Sequence, residues 1–325
     1  MPPATTLAIL SDVHYASAAE QARGDDYELE GVSNPLARIF LKVHHRFFWL
    51  HRQLQHNHLL DQFLAQVPAT DLVIANGDFS CDTGFVGVSD DAACQSARES
   101  LGRLRARFGP RFRATYGDHE LGKRAFIGGR GGMRLASFHR AQGELGLEPF
   151  WREELGRYVL IGVVSSLIAL PVYEAETFPE ELAEWKRLRA EHLAKICAAF
   201  AALKPNQRVI LFCHDPTALP HLGREAAVRA KFPQIEQTII GHLHSDFIFR
   251  LSRLLSGMPT LKRFGNSARR MSAALGEGRE WKPFHVRLCP SLTGIELWKD
   301  GGFFTVKLDP DARQPAKFIR HRIER

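Results

Sequence analysis

The sequence of 325 residues predicts an α/β fold. Short β-rich runs alternate with helical stretches along most of the chain, which is typical of this fold class. A late succession of β-like runs indicates that the second half adds antiparallel strands or a second sheet packed on the first. Because 45% of the residues are hydrophobic, the chain can bury a large core, and we expect one domain over residues 1–325.

Strands are expected where short apolar, β-rich runs are bounded by turn residues. The earlier ones are predicted at residues 6–10, 71–75, 112–116, 158–165, 208–213 and 238–240, and the later ones at 284–288, 294–298 and 302–308.

A long helical insertion is expected over residues 34–67. Asn34 suits a helix N-cap and Pro35 suits the first turn. Apolar residues recur at spacings of four and three and predict one apolar stripe, with basic residues, histidines, Phe48 and Trp49 beside it. This mixture fits either a core-packing helix with a basic outer face or an interfacial helix that contacts lipid. The stripe consists of Leu36, Phe40, Val43, Phe47, Leu50 and Leu54.

Charge and cysteine content narrow the possible partners and compartment. The 43 Lys and Arg against 36 Asp and Glu give a net charge of +7, which favours an anionic partner such as a nucleotide or an anionic lipid. No nucleic-acid motif with interleaved aromatic residues accompanies this charge, so nucleic acid is not an expected partner. Five scattered cysteines without a CxxC spacing fit a reducing compartment.

The hydropathy pattern predicts a cytoplasmic protein that is at most peripheral to a membrane. Neither a signal peptide nor a transmembrane helix is expected from the apolar runs. An irregular basic segment is expected at residues 255–283, where Lys262, Arg263, Arg269 and Arg270 lie among Gly, Ser and Pro.

Aspartate and histidine residues follow directly after five of the expected strands. The carboxyl ends of strands are where open α/β sheets place their sites, so these side chains predict a metal centre. Seven ligands exceed the needs of one ion and suit two ions that share a carboxylate, for which Asp78 is the best candidate. Imidazole with carboxylate favours manganese, iron or zinc over magnesium. The candidate ligands are Asp12, His14, Asp78, Asp118, His214, His242 and His244.

These residues form a motif series that resembles the calcineurin-like metallophosphoesterase superfamily over residues 6–245. The resemblance implies a four-layer α/β/β/α fold, with two β-sheets packed face to face as a sandwich, helices outside and two metal ions at one edge. It also implies hydrolysis of a phosphate ester or phosphoanhydride by a metal-bridging hydroxide. The series reads Asp12-Val13-His14, Gly77-Asp78, Gly117-Asp118-His119-Glu120, His214 and Gly241-His242-Leu243-His244.

The resemblance also implies a role for each residue of the series. His119 would contact the phosphate and donate a proton to the leaving group. Glu120 would either hydrogen-bond a neighbouring histidine or lie exposed at a helix N-terminus. The ligands would be Asp12, His14 and His244 for the first metal, Asp118, His214 and His242 for the second, and Asp78 as the bridge.

Asp118 departs from the family pattern, and Arg130 is a further candidate for contact with the substrate. Asp118 stands where the family usually has Asn. This is either a tolerated exchange of oxygen ligands or a site tuned to a more highly charged metal pair, such as one with Fe(III), or to weaker phosphate affinity. Arg130, in the glycine-rich loop 128–132, could approach a phosphate together with backbone amides, or the loop could be a simple turn.

Several substrate classes fit this sequence. The first is a lipid-linked nucleotide diphosphate, as in the UDP-diacylglucosamine pyrophosphohydrolases, whose first motif resembles Ser11-Asp12-Val13-His14. Others are a soluble phosphomonoester, a cyclic nucleotide or, on charge alone, a nucleic acid. A metal-binding interaction scaffold without catalysis is the alternative to an enzyme. The oligomeric state does not follow from the sequence.

Overall fold

Two five-stranded β-sheets form the centre of the computed structural model, which describes residues 4–81, 85–124, 130–261 and 266–324. The strands of the described residues are β1 (Thr5–Leu10), β2 (Leu72–Asn76), β3 (Phe112–Thr115), β4 (Phe150–Leu155), β5 (Tyr158–Val163), β6 (Arg208–Cys213), β7 (Ile235–Ile240), β8 (Val286–Leu288), β9 (Gly302–Leu308) and β10 (Lys317–Arg322). The strand order is β10-β9-β1-β2-β3 in the first sheet and β4-β5-β6-β7-β8 in the second.

Helices surround the two sheets. Within the described residues the α-helices are α1 (Ala18–Gln21), α2 (Pro35–Phe47), α3 (His58–Gln66), α4 (Asp91–Phe108), α5 (Asp118–Leu121), α6 (Leu135–Gly143), α7 (Ser165–Ile168), α8 (Leu170–Tyr173), α9 (Leu182–Ala201), α10 (Leu219–Arg224), α11 (Ala226–Arg229), α12 (Asp246–Leu254) and α13 (Asn266–Gly276). Among them, α4 contacts β3 and α9 contacts β4.

The core follows from the alternation of side chains along the strands. Leu7 and Ile9 of β1 join one buried cluster with residues of β5, β6 and β9, which fills the space between the two sheets. Ala8 and Leu10 point the other way and pack in the cluster that the helices cover. The predicted α/β fold with two sheets packed face to face is confirmed.

Parallel pairing brings the strand ends that carry the site to one edge. Strands β1, β2 and β3 pair in parallel in the first sheet, and so do β5, β6, β7 and β8 in the second. The residues that follow β1, β2 and β3 therefore emerge beside those that follow β6 and β7.

The predicted strands are confirmed apart from one. Residues 294–298 contain no strand but a turn, in which Gly294 has φ +60°. Two strands lack a prediction: β4 carries the charged run Arg152-Glu153-Glu154, and β10 is Lys317–Arg322. Both are edge strands. An edge strand tolerates charged residues, and these charges obscure the apolar pattern from which a strand is predicted.

The single long helix predicted over 34–67 is wrong. Helix α2 ends at Phe47, a 3₁₀ turn covers Gln53–Gln55, and α3 begins at His58. Arg52, with φ +50°, interrupts the helical backbone. The stripe is divided as well, since Leu50 and Leu54 are buried whereas its four residues within α2 are exposed. Because no residue of α2 is buried in the described structure, the core-packing interpretation is also wrong for this helix.

The segment 255–283 is more regular than predicted. It contains α13 and the start of a 3₁₀ helix at Gly278–Phe284. Arg270 forms an ion pair of 2.5 Å with the buried carboxylate of Glu176. Lys262 and Arg263 lie outside the described residues. In the part of the chain that the structure describes, no helix has both the length and the apolar character needed to cross a membrane.

Candidate metal centre

All seven predicted ligands gather at the edge where the two sheets meet. Their side chains form two groups in which the potential ligand atoms lie within 4.8 Å of one another. Each group combines residues that follow strands of the first sheet with residues that follow β6 or β7 of the second. The groups are Asp12, His14 and His244, and Asp78, Asp118, His214 and His242.

In the first group, three ligand atoms face a common point. The Nε2 atoms of His14 and His244 lie 3.2 Å apart, and His244 Nε2 lies 3.3 Å from Asp12 Oδ1. Asp12 Oδ2 is buried and has no hydrogen-bond partner among the described residues. A buried carboxylate oxygen without a partner is costly unless a cation balances it, so this group fits a metal ion.

The second group is equally compact. His214 Nε2 lies 3.0 Å from Asp78 Oδ2 and 3.3 Å from Asp118 Oδ1. His242 Nδ1 lies 2.8 Å from the same Asp118 oxygen. Two imidazoles and two carboxylates at these distances form a donor set that suits manganese, iron or zinc. The bridging role of Asp78 stays a prediction.

The observed arrangement is the one expected from the resemblance to calcineurin-like metallophosphoesterases. Its two sheets, the order of its motifs and the division of its ligands into two groups agree with the arrangement that the resemblance implies.

The comparisons with known proteins find distant likenesses among solved structures. No family model matches, and the search of curated proteins finds no significant match. Among solved structures, a phosphopantetheinyl hydrolase from Mycobacterium tuberculosis is 17% identical over 75% of this chain and 84% of that chain, with a TM-score of 0.38.

Two further solved structures are about as distant. A predicted phosphoesterase from Streptococcus pneumoniae is 10% identical over 99% of this chain and 100% of that one, with a TM-score of 0.27. A purple acid phosphatase from yellow lupin is 10% identical over 99% of this chain and 55% of that chain, with a TM-score of 0.39. The fold assignment therefore depends on this chain's own topology and ligand geometry.

Backbone carbonyl groups orient two of the imidazoles. His14 Nδ1 lies 3.2 Å from the carbonyl oxygen of Ser80, and His214 Nδ1 lies 2.5 Å from that of Asn76. A carbonyl only accepts hydrogen bonds, so each Nδ1 carries the proton and donates. The Nε2 lone pair of each ring is then free to face the metal position, as in known metal sites.

The backbone of the ligands is in an uncommon conformation. Five of the seven have φ between +45° and +63°, the left-handed region that non-glycine residues seldom adopt. Such residues cost about 1–3 kcal/mol each and cluster at functional sites. Ligand direction is thus set by the loops as well as by rotamers. The five are Asp12, His14, Asp78, His242 and His244.

A glycine allows two ligand loops to touch. A Cβ atom at Gly117 would lie 2.0 Å from Asp78 Oδ1 and 2.4 Å from Asp78 N. Only a residue without a side chain permits this approach. The glycine of the third motif therefore positions the carboxylate of the second.

The charges in the centre suit a cation. Burial acts to raise the pKa of Asp78, but the neighbouring His214 and His119 rings outweigh it and hold that pKa below its usual range. Burial lowers the pKa of His14 to about 3, so its ring is neutral at physiological pH. Against the effect of burial, the carboxylates of Asp78 and Asp118 raise the pKa of His214, so an ion bound there would displace a proton from that ring.

Lys123 is a member of this site that sequence reasoning missed. Its ammonium group forms an ion pair with Asp118 Oδ2. Although burial acts to raise it, the positive charge of Lys123 holds the pKa of Asp118 well below its usual range. The extra negative charge introduced by Asp in place of the usual Asn is therefore matched by a lysine. Sequence spacing gives no hint of this pair, because α5 ends at Leu121 and Gly122, with φ +88°, redirects the chain.

His119 lies within the centre. Its Nε2 is 4.0 Å from Asp78 Oδ2, and its ring meets that of His14 edge-on, with the centroids 4.9 Å apart. The backbone N–H of His119 donates to Asp78 Oδ1 at 3.0 Å. The side chain is mostly buried yet 11% exposed, which suits a group that meets both substrate and solvent.

Glu120 differs from both interpretations made from the sequence. It is fully buried, so the exposed position is wrong. Its carboxylate accepts hydrogen bonds from the backbone N–H groups of Asp78, Phe79 and Gly117 at 2.7–3.0 Å, so the predicted histidine partner is wrong as well. Glu120 instead ties the loop after β2 to the loop after β3. Burial and the charge of Asp78 raise its pKa to about 8, against the effect of these N–H donors.

Arg130 makes its contacts outside the metal centre. Its guanidinium lies over the rings of Phe85 and Tyr27, at 4.8 and 5.2 Å from their centroids, and 3.7 Å from Glu30. None of these described contacts involves a ligand residue. The predicted role at a phosphate has no support in this geometry, and Gly128 and Gly129 lie outside the described residues.

Proposed function

We propose that the protein is a dimetal-dependent phosphoesterase that hydrolyses a phosphate ester or phosphoanhydride. The observation that carries the proposal is the pair of buried ligand groups side by side, one of three residues and one of four. When bound, two such ions supply an activated water and neutralise the charge that develops on the phosphoryl group. Manganese, iron and zinc fit the mixed donor set.

The chain's own residues would orient the reaction and move its proton. His119 is placed to donate a proton to the leaving-group oxygen, because it lies at the rim of the centre and retains limited exposure. Burial lowers the pKa of His119, although the carboxylates of Asp78 and Asp118 act to raise it, so the protonated ring is a stronger acid than an ordinary imidazolium. Lys123 offsets the negative charge of Asp118 beside the second ligand group, where phosphoryl oxygens would lie.

Replacing His119 tests this role. We expect His119→Ala to keep its metal content, since His119 is not among the ligands, and to lose roughly 10²–10⁴-fold in kcat, the usual range for a lost general acid. The loss should be largest for alkyl phosphates, which need protonation of the leaving group, and smallest for activated aryl phosphates. Equal activity of the variant and the parent on alkyl phosphates would rule out the acid role.

Assays with generic substrates distinguish the remaining substrate classes from one another and from a scaffold. Aryl phosphomonoesters and phosphodiesters are assayed with added manganese, alongside elemental analysis of the purified protein. Turnover of a diester without the monoester would exclude a simple phosphatase. Bound metal without turnover of either substrate would favour the metal-binding scaffold without catalysis.

A lipid-linked nucleotide diphosphate is a more specific candidate substrate. It is supported by the apolar, basic helix α2, whose last turn leads to Trp49 beside the ligand His244, at 4.8 Å between ring centroids. The direct test is hydrolysis of a UDP-linked diacyl sugar against UDP-glucose as the soluble control. A preference for the soluble compound would contradict this candidate.

A further inference from the structure

Helix α2 presents an apolar face without a covering layer in the described structure. Its large apolar side chains are exposed to solvent: Leu36 is 75% exposed, Phe40 is 63% exposed and Phe47 is 62% exposed. Ile39 and Val43 belong to the same exposed set. A helix normally buries its apolar face in the core, and a contiguous exposed one marks an interaction surface.

Helix α12 presents a second apolar face. Phe247, Leu251, Leu254 and Leu255 are exposed, with Leu254 at 80%. Ser245 caps the helix by accepting a hydrogen bond from the N–H of Phe247. Only Ser252 of this helix is buried, so α12, like α2, lies on the surface of the molecule.

Residues 296–298 join the two helices into one surface. The N–H groups of Glu296 and Leu297 donate to the carbonyl groups of Trp49 and Phe48, just after α2. The ring of Trp298 then lies 6.1 Å from that of Phe247 at the start of α12. Leu297 and Trp298 are themselves exposed. We name the exposed apolar side chains of α2, α12 and residues 297–298 the apolar surface.

Basic residues accompany the apolar surface. Helix α2 carries Arg38, Lys42 and Arg46 and no acidic residue, while α12 carries Arg250 and Arg253. The acidic residue of α12, Asp246, is paired with Arg320 at 2.8 Å. Exposed apolar side chains beside positive charge are the composition of helices that lie in the interface of an anionic bilayer.

The metal centre lies beside this surface. The ring of Trp49 lies 4.8 Å from that of His244, and α12 begins two residues after that ligand. A phosphate group held at bilayer headgroup level would therefore lie close to the ligand groups when the apolar surface is immersed.

We propose that the apolar surface docks the protein on an anionic phospholipid bilayer and delivers amphiphilic phosphate substrates to the metal centre. The evidence for docking is the apolar surface itself, whereas the delivery of substrate rests on the proposed phosphoesterase function. A second copy of this chain could cover the same surface, and that outcome is separable by experiment.

Vesicle binding tests the docking directly. The probes are vesicles of phosphatidylcholine alone and vesicles that also contain 30% phosphatidylglycerol, a composition chosen to carry charge. We expect the protein to sediment with the anionic vesicles, less so in high salt, and to stay in solution with the neutral ones. Absence of binding to anionic vesicles would overturn the proposal.

Substitutions locate the contact. Phe40→Asp combined with Phe47→Asp should weaken anionic-vesicle binding at least about tenfold, because charge is placed in the apolar face. Phe178→Asp is the matched control, since Phe178 is 42% exposed but lies outside the apolar surface, next to Arg134. Equal binding by the double variant and the control would refute the assignment of the surface.

Two further measurements separate the alternatives. A parent protein that forms dimers in solution and ignores vesicles, with monomers for the double variant, would replace the bilayer by a second copy. Metal content and turnover of a soluble aryl phosphate should be unchanged in the double variant. If no variant or parent hydrolyses any phosphate while vesicle binding persists, the proposed function fails and the docking stands.

Discussion

At the second ligand group, an aspartate and a lysine take the place of a neutral amide. Oδ1 of Asp118 lies 2.8 Å from His242 Nδ1, and its Oδ2 forms the ion pair with Lys123. The ion pair is largely removed from solvent, since the Asp118 side chain is 2% exposed and that of Lys123 is 22% exposed. In such surroundings an unpaired charge costs several kcal/mol, so the two residues should act as a unit. This pairing favours the tolerated exchange of oxygen ligands over adaptation to a more highly charged metal pair.

A double-mutant cycle tests the coupling of Asp118 and Lys123. We expect Lys123→Gln alone to lower kcat/KM by about tenfold or more, because it leaves Asp118 unbalanced beside an anionic substrate. Adding Asp118→Asn to that variant should recover part of the loss, since it restores neutrality. Strictly additive effects on kcat/KM and on metal content would show that the residues are independent.

The ligands could be predicted from sequence because each follows a strand whose apolar run is easy to read. Lys123 and the partners of Glu120 could not, since both depend on how the loops after β2 and β3 fold back on each other. The hydrogen bonds from Asp78 and Phe79 to Glu120 span 42 and 41 positions. No local spacing predicts contacts of that range.

At the scale of elements, apolar periodicity identified helix α2 but not its surroundings. Leu36 and Phe40 recur like core residues, yet the same spacing also describes an interfacial helix. Periodicity gives the direction of a face and says nothing about what covers it. The interruption of the helix after Phe47 could not be predicted either, because Arg52, which adopts the left-handed conformation there, is neither Gly nor Pro.

The close approach of the loops after β2 and β3 predicts an effect of a single methyl group. Gly117→Ala should displace the Asp78 carboxylate, since the new Cβ would lie 2.0 Å from Asp78 Oδ1, and should reduce both metal content and turnover at least about tenfold. Gly102→Ala in helix α4 is the matched control, because its Cβ would meet no atom within 4 Å. That control should keep activity and gain about 0.5–1 kcal/mol in the free energy of unfolding. Full metal content in Gly117→Ala would contradict the argument.

At the scale of the whole molecule, the centre links the two sheets. Asp12 and His14 follow β1 of the first sheet, whereas His244 follows β7 of the second. The second ligand group is divided between the sheets in the same way. Ions bound there would therefore stabilise the packing of one sheet on the other, and metal binding should be linked to folding.

Removal of metal tests this linkage. Treatment with a chelator followed by desalting should lower the Tm, because ligands that bind only the native state add about 2.7 kcal/mol when present at a hundred times their Kd. Restoring manganese or zinc should recover the original Tm. An identical Tm with and without metal, measured on protein whose metal content is known, would show that the centre does not link the sheets.

Metal stoichiometry shows whether the ligand groups hold two ions. Elemental analysis gives the number of ions per chain in the parent protein, in Asp78→Ala and in the control Asp25→Ala. Asp25 is an exposed aspartate that belongs to neither ligand group. We expect two ions per chain in the parent and the control, and loss of both ions together with turnover in Asp78→Ala. No more than one ion in the metal-saturated parent, or two ions retained in Asp78→Ala, would contradict it.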